Sequence, residues 1–465
     1  SAPERQLTLK FSRSVKTAIR EEDGCKVLYV TLLPKLVKVG HAELQATLTV
    51  DGIRHHEVAH IALDPAHPGS RFAGFGGNFR IQNPANDPKV IDYCLDNMRV
   101  AFGRVELPWS SWDKGGKTDP KVLASARMAA RLKSIGMPVI VSCWFPPQWA
   151  LIEGQKRGRG GVAALKLEPS KSDRIYESLA SYLQFLKDDY GVEADYFSFN
   201  ESDIGIDVLH TPQQHCDFIK EFGAKLASMN LPCKLLLGDN SDATTIDFIQ
   251  PALADKDAHR YIGAVSFHSW RGCDDETLRR WRDAARSINV PLIVGEGSTD
   301  AAAHRYSSIF KESTFALYEI NLYTRLCAIC QPVSILQWQL TADYSLLQGE
   351  GILADNGPLR PTQRFFNLRQ LAMTPADALA VPFKADKDNV NVAAFANTAR
   401  GEGAVHVVNN GASCVAEITG LPTSIKETVV YVTNIGQNAE AQTVPVVDGK
   451  ASVSMPAESF VSLIY

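Results

Sequence analysis

Pro138-Val139-Ile140-Val141-Ser142-Cys143-Trp144 is a strand-sized apolar run, and Tyr196-Phe197-Ser198-Phe199-Asn200-Glu201 is another. Between them, Arg174 to Tyr190 places apolar residues at three- and four-residue spacing, the signature of a helix with one buried face. This strand–helix–strand unit repeats outward in both directions. Further strand candidates are Phe72 to Asn78, Arg99 to Leu107, Lys234 to Asp239, Ile262 to His268, Leu292 to Glu296 and Ser334 to Gln339. Helical stretches such as Val122 to Ile135 lie between most of them. Eight strand–helix units between residues 72 and 372 predict a (β/α)8 barrel. A doubly wound open sheet is the competing architecture. It lacks its usual phosphate-binding signature here, because Gly74-Phe75-Gly76-Gly77 runs into Asn78-Phe79-Arg80 and not into a helix start.

The flanks have a different rhythm. Leu28 to Leu33 and Ala42 to Val50 read as strands, with Asp51-Gly52 as a tight turn. Val390 to Phe395, Ala404 to Val408, Thr428 to Thr433 and Ser459 to Tyr465 are short strands separated by turn residues, as in an antiparallel sandwich. Asn409-Asn410-Gly411 fits a hairpin turn. The expected organisation is an N-terminal β segment, residues 1–70, joining a C-terminal β-sandwich, residues 373–465, around a barrel of residues 71–372.

The chain has 465 residues, with 48 Lys plus Arg against 52 Asp plus Glu, a net charge of −4. That balance excludes a basic nucleic-acid-coating protein and an acidic disordered tail. No apolar run reaches the roughly 18 to 20 residues of a membrane span. The chain opens at Ser1 without Met or a basic-then-apolar leader, and the expectation is a secreted or periplasmic protein. Nine cysteines, an odd number scattered through a long chain, argue against a disulfide framework. Cys327 and Cys330 form a CxxC string, but Leu322 to Ile329 reads as a helix, so two buried thiols are expected.

In a barrel the reactive groups project from the C-terminal strand ends. Polar residues cluster there: Arg104, Asn200 and Glu201, His268, Glu296 and Trp338. Glu201 and Glu296 each close an apolar strand, on the same face as Phe197 and Phe199 or Leu292 and Val294. Strict alternation turns Asn200 away from that face, although a bend at the strand end would return it. A facing pair of carboxylates among aromatic residues suits glycosidic bond cleavage, one attacking the anomeric carbon and the other protonating the leaving oxygen.

Four motifs give these residues a family likeness: Gly74-Phe75-Gly76-Gly77, Trp144 with Pro146-Pro147 and Trp149, Asn200-Glu201, and the strand end Gly295-Glu296. The chain resembles the clan A glycoside hydrolases, and within them glycoside hydrolase family 30, over essentially its whole length. The resemblance implies a barrel braced by a β-sandwich and a retaining β-glycoside hydrolase. In it Glu201 is the general acid/base and Glu296 the nucleophile. Asn200 would bond the sugar 2-hydroxyl, Arg104 would hold Glu296 ionised and oriented, and Trp338 would provide a stacking floor. Trp144 and Trp149 would line the pocket, His268 and Trp270 would face the sugar, and Asp113 is a further candidate ligand. Where the family commonly carries His-x-Tyr, this chain has His268-Ser269-Trp270. A nucleophile contact made elsewhere by a Tyr hydroxyl would here fall to an indole N–H. The partner implied is an oligosaccharide, polysaccharide or glycoside, with no cofactor or metal and no nucleic acid. A non-catalytic carbohydrate-binding protein on the same fold is the alternative.

Two other strings compete. His56-Glu57-Val58-Ala59-His60 matches the HExxH zinc-hydrolase pattern, which works only on a helix. Its setting reads as a strand, where the two histidines stand roughly 13 Å apart, too far to share one zinc. Glu153 to Gly161 is a basic insert after the third barrel strand that reads as a solvated loop, with contact to an acidic sugar as its functional alternative.

Overall fold

The computed structural model describes residues 6–22, 25–33, 42–51, 57–156, 161–299 and 303–465. The chain divides into two compact units, Ser1–Glu57 and Val58–Tyr465. In the first, Gln6–Phe11 pairs antiparallel with Ala46–Asp51, and Lys16–Glu22 with Cys25–Thr31. The expected Leu28 and Ala42 strands overlap these; Gly52 of the expected turn lies outside the described residues.

In the second unit eight parallel strands close into a barrel in chain order. They are β1 (Gly76–Asn78), β2 (Gly103–Pro108), β3 (Val139–Trp144), β4 (Tyr196–Phe199), β5 (Lys234–Asn240), β6 (Ile262–His268), β7 (Leu292–Gly297) and β8 (Ser334–Gln337). The expected (β/α)8 barrel is therefore present, and each strand candidate overlaps one of these. All six residues of β3 are buried, because one face meets the barrel interior and the other its ring of helices. The helices start where their caps dictate. Asp119 accepts from the amides of Lys121 and Val122 ahead of Pro120–Ser134. Thr211 and Gln214 form a capping box ahead of Pro212–Ser228. Phe102, Ile140, Leu236, Ala264, Ile293, Val333 and Leu336 form a separate apolar cluster that plugs the barrel towards its N-terminal end.

The second layer is an 11-stranded sheet, with Glu57–Leu63 and Arg71–Phe72 inserted among the C-terminal strands. Its long strand Gln437–Val447 pairs first with Glu427–Asn434 and then with Lys450–Met455, so the sheet folds over as a sandwich. Ile61, Val392, Val407, Ile418, Val430, Val453 and Leu463 from both halves fill its core. The Asn409-Asn410-Gly411 turn does not make a hairpin. Glu402–Asn409 pairs with Val390–Asn397 and Ser459–Ile464, whereas the following Cys414–Thr419 pairs with Lys450–Met455. The turn thus carries the chain from one half of the sandwich to the other.

The HExxH string runs into the strand Glu57–Leu63, with His60 exposed and 3.3 Å from Glu417; His56 lies outside the described residues. Of the basic insert, residues 157–160 lie outside them too. Cys327 and Cys330 are buried thiols on a π-helical turn, Leu326–Cys330. No helix among the described residues is long and apolar enough to cross a membrane.

The last barrel helix, Gln363–Ala372, joins the layers. Gln370 Nε2 donates to the carbonyls of Tyr431 and Phe460 on the sandwich. Arg364, fully buried, makes two 2.8 Å bonds to Glu319 on the helix Ser313–Arg325. Removing one partner of a buried pair strands the other charge. Arg364→Met should therefore destabilise the protein by about 3–5 kcal/mol, read as a lower midpoint of urea unfolding; an unchanged midpoint would show that Glu319 finds another partner.

Candidate active site

The strand ends at the C-terminal mouth converge on Arg104 of β2, which is 2% exposed. Its Nη1 donates to Asn78 Oδ1 and Glu296 Oε1, each at 2.9 Å. Its Nη2 donates to Asn200 Oδ1 at 2.6 Å and to Asp239 Oδ2 at 2.8 Å. His268, at the end of β6, is fully buried. Its Nδ1 lies 3.0 Å from Glu201 Oε1 and 3.4 Å from Glu296 Oε2, and its Nε2 lies 3.1 Å from Asp239 Oδ1.

Local backbone explains how these groups meet. β4 stops at Phe199, and Glu201 adopts φ 46°, a left-handed conformation that costs a non-glycine residue free energy. The bend turns Asn200 and Glu201 towards the same centre, which strict alternation forbids. On β5 the register shifts between Gly238 and Asn240, with φ 98° at Gly238 and φ 57° at Asp239. That bulge aims Asp239 inward. Gly238 is needed twice over, since a Cβ there would lie 2.5 Å from the Ser266 carbonyl oxygen. On β7 a Cβ at Gly295 would lie 2.5 Å from Asp239 Oδ1, so the glycine before Glu296 makes room for a carboxylate on a different strand.

Electrostatics separate the acids. Burial raises the Glu201 pKa, the negative charge of Glu296 adds to the rise, and the His268 contact opposes it; the result is about 7. Burial alone would keep His268 neutral, but Glu296, Asp239 and Glu201 outweigh it and lift its pKa to about 10. Asp239 is pushed up by burial, yet Arg104, His268 and Ser198 hold it far below the usual carboxylate range. His268 is therefore an imidazolium donating from both ring nitrogens. Glu201, His268 and Glu296 offer three donor atoms within 4.8 Å of one another, a set a divalent ion could use. An imidazolium has no lone pair for a metal, so the arrangement suits proton transfer better.

Two of the aromatic candidates pack on each other. Trp338 and Trp144 stack with ring centroids 6.0 Å apart, and the peptide from Trp338 to Gln339 is cis. Arg80 sits 4.0 Å over the Trp144 ring and is paired with Glu106, which fixes that indole. Trp270 Nε1 donates to Glu296 Oε2 at 3.3 Å. Trp149 lies under the Arg174 guanidinium, and its indole donates to Asp113 at 2.6 Å. Asp113 and Trp149 thus bond each other and stand outside the network around Arg104. Asn78 and Asp239 belong to that network and were not among the candidates drawn from the sequence. The signal for Asp239 was available: it ends the run Leu235-Leu236-Leu237-Gly238 much as Glu296 ends its own.

The same arrangement of barrel and sandwich occurs in known structures. A family 30 endoxylanase from Clostridium papyrosolvens superposes with a TM-score of 0.72 at 18% identity, covering 88% of this chain and 99% of that one. A family 30 subfamily 8 xylanase from Clostridium acetobutylicum gives 0.72 at 17% identity, covering 87% and 98%. The fold is that of the clan A glycoside hydrolases, most like family 30. A curated relative, a putative glucosylceramidase 1 of Caenorhabditis elegans, is 23% identical over 304 residues; the match spans 52% of this chain and 55% of the relative. No protein-family model matches.

If Asp239 helps to hold the imidazolium, Asp239→Asn should move the His268 titration downward from about 10, as followed by ¹⁵N NMR of the ring nitrogens. An unchanged titration would mean that Glu201 and Glu296 suffice.

Proposed function

We propose that this protein is a retaining β-glycoside hydrolase, with Glu296 as nucleophile and Glu201 as general acid/base. The observation that carries this reading is the approach of the two carboxylates, with oxygens of Glu201 and Glu296 within 4.8 Å of each other. Retaining enzymes hold the pair about 5–5.5 Å apart, whereas inverting ones leave about 6.5–9.5 Å for a water.

In the first step an oxygen of Glu296 attacks the anomeric carbon, the bond to the leaving oxygen breaks, and Glu201 gives that oxygen its proton. Arg104 and Trp270 hold Glu296 in line. Once Glu296 is esterified its charge no longer raises the Glu201 pKa, so Glu201 is left a carboxylate. It then takes the proton of the water that releases the sugar. Asn200 keeps its Oδ1 on Arg104, while its Nδ2 has no partner among the described residues, leaving a buried donor for the sugar 2-hydroxyl. The stacked Trp144 and Trp338 offer apolar surface to the sugar ring. In the same reading residues 71–372 carry the catalysis, and the sandwich of residues 373–465 with its N-terminal strands braces the barrel. The substrate is an oligosaccharide, polysaccharide or glycoside, and secretion fits such a substrate.

Glu296→Gln should lose hydrolysis of aryl β-glycosides by several orders of magnitude. Azide should rescue Glu296→Ala with a glycosyl azide as product. Turnover by Glu296→Gln near the wild-type rate would reject the assignment. Because the acid must be protonated, wild-type kcat/KM should fall as pH rises through about 7. That alkaline limb should disappear in Glu201→Gln when the substrate carries a good leaving group, since departure then needs no proton.

A further inference from the structure

A cavity of about 870 Å³ opens at the opposite, N-terminal mouth of the barrel, beneath the apolar plug. Its walls carry the side chains of Arg71, Arg99, Arg282 and Arg286, and one carboxylate, Asp377. That carboxylate is taken by Arg71, whose Nε donates to it at 2.9 Å. Among the described residues Arg99 donates to the carbonyls of Ala73 and Thr374, at 3.0 and 2.8 Å. Arg286 donates to Gln331 and Ser70, at 2.9 and 3.3 Å. Arg282 is paired with Asp283, which is not among the lining residues, and donates to the Ile329 carbonyl.

Arg282 and Arg286 stand one turn apart on the helix Asp275–Ser287, a spacing at which like charges repel. A cation in the last turn suits the helix dipole, which accounts for Arg286 but not for Arg282 a turn earlier or for Arg71 and Arg99 from other elements. Burial lowers the Arg286 pKa, with Arg282 adding to the effect, and burial lowers that of Arg99. The fold thus gathers more positive charge in one concavity than its own carboxylates balance.

We propose that this mouth binds an acidic oligosaccharide, a sugar chain bearing two or more carboxylate or sulfate groups. Planar guanidinium forks grip such oxyanions bidentately. The volume lies within the roughly 300–1,000 Å³ of small-molecule sites, so one inorganic anion would leave most of it unfilled. Ser70, Asn289 and Gln331 supply hydroxyl and amide groups of the kind that bond sugar hydroxyls. Pro138, Pro291 and the half-exposed Ile135 supply apolar surface for ring C–H faces. The site is separate from the carboxylates at the other mouth and does not depend on the reaction proposed for them.

Titration calorimetry would use trigalacturonate, a sulfated chondroitin disaccharide, neutral maltotriose and inorganic phosphate as probes. Wild-type protein should bind one or both acidic sugars saturably, more weakly as salt is added, and maltotriose at least tenfold more weakly. R282Q/R286Q should weaken acidic-sugar binding at least tenfold and leave aryl glycoside hydrolysis unchanged. R282K/R286K, which keeps the charge but loses the fork, should fall between. Glu296→Gln should bind the acidic sugars like wild type, which separates this site from the catalytic one. The proposal is overturned by no acidic-sugar binding to wild type, by equal affinity for maltotriose or phosphate, or by undiminished binding in both arginine variants.

Discussion

Arg104 brings a full positive charge into the barrel mouth with 2% of its surface left to water. A buried cation is tolerated only when its donors meet acceptors placed in advance. Its two terminal nitrogens meet four, and each comes from a different part of the barrel: Asn78 on β1, Asn200 after β4, Asp239 on β5 and Glu296 on β7. One side chain on β2 thereby sets the separations between strand ends far apart in sequence. The left-handed backbone at Glu201 and Asp239 and the bulge on β5 are what that demand imposes on strands that would otherwise run straight. Local strain at these ends is balanced by bonds that exist only when all the strands are in place.

Around Arg104 the charges nearly cancel. Arg104 and His268 are cations, Asp239 and Glu296 are their carboxylate partners, and Glu201 completes the group. With Glu201 protonated the cluster is neutral; with Glu201 ionised it carries one excess negative charge in a buried place. That difference, more than any single neighbour, accounts for an acid titrating near 7. In the proposed reaction the balance persists: as Glu201 loses its proton, Glu296 loses its charge to the sugar ester. The buried cluster never has to carry a net charge through the covalent intermediate, which keeps the electrostatic reorganisation small.

Much of this was legible in the sequence. Barrel strands buried on both faces are short apolar runs, and the runs ending in Glu201 and Glu296 stand out because a charge closes each. Arg104, Asn200 and His268 could be placed at strand ends by counting. Three things were not legible. Asp239 could be placed at a strand end, but its inward aim depends on a bulge that only pairing with β6 reveals. Asp113 and Trp149 are expected to meet the sugar, and their bond to each other cannot be read from their spacing in sequence. Asn409-Asn410-Gly411 carries the local chemistry of a hairpin, and long-range pairing sent its two strands to different neighbours. Each case is one where distant partners decide what a local pattern becomes.

The two mouths of the barrel use arginine in opposite ways. At the C-terminal end both terminal nitrogens of a single guanidinium are bonded to carboxylate and amide oxygens, so it is held in place and serves to position other groups. At the N-terminal end Arg71 and Arg282 are each paired with a carboxylate, while Arg99 and Arg286 bond to carbonyl, amide and hydroxyl oxygens. Neutral acceptors satisfy hydrogen bonds without cancelling charge. The first arrangement needs no outside anion and would be disrupted by one. The second leaves a positive field in a hollow open to solvent, where a ligand can bring the missing charge without reorganising the protein. The apolar plug between them, Phe102 to Leu336, keeps the two fields apart and lets one barrel hold both.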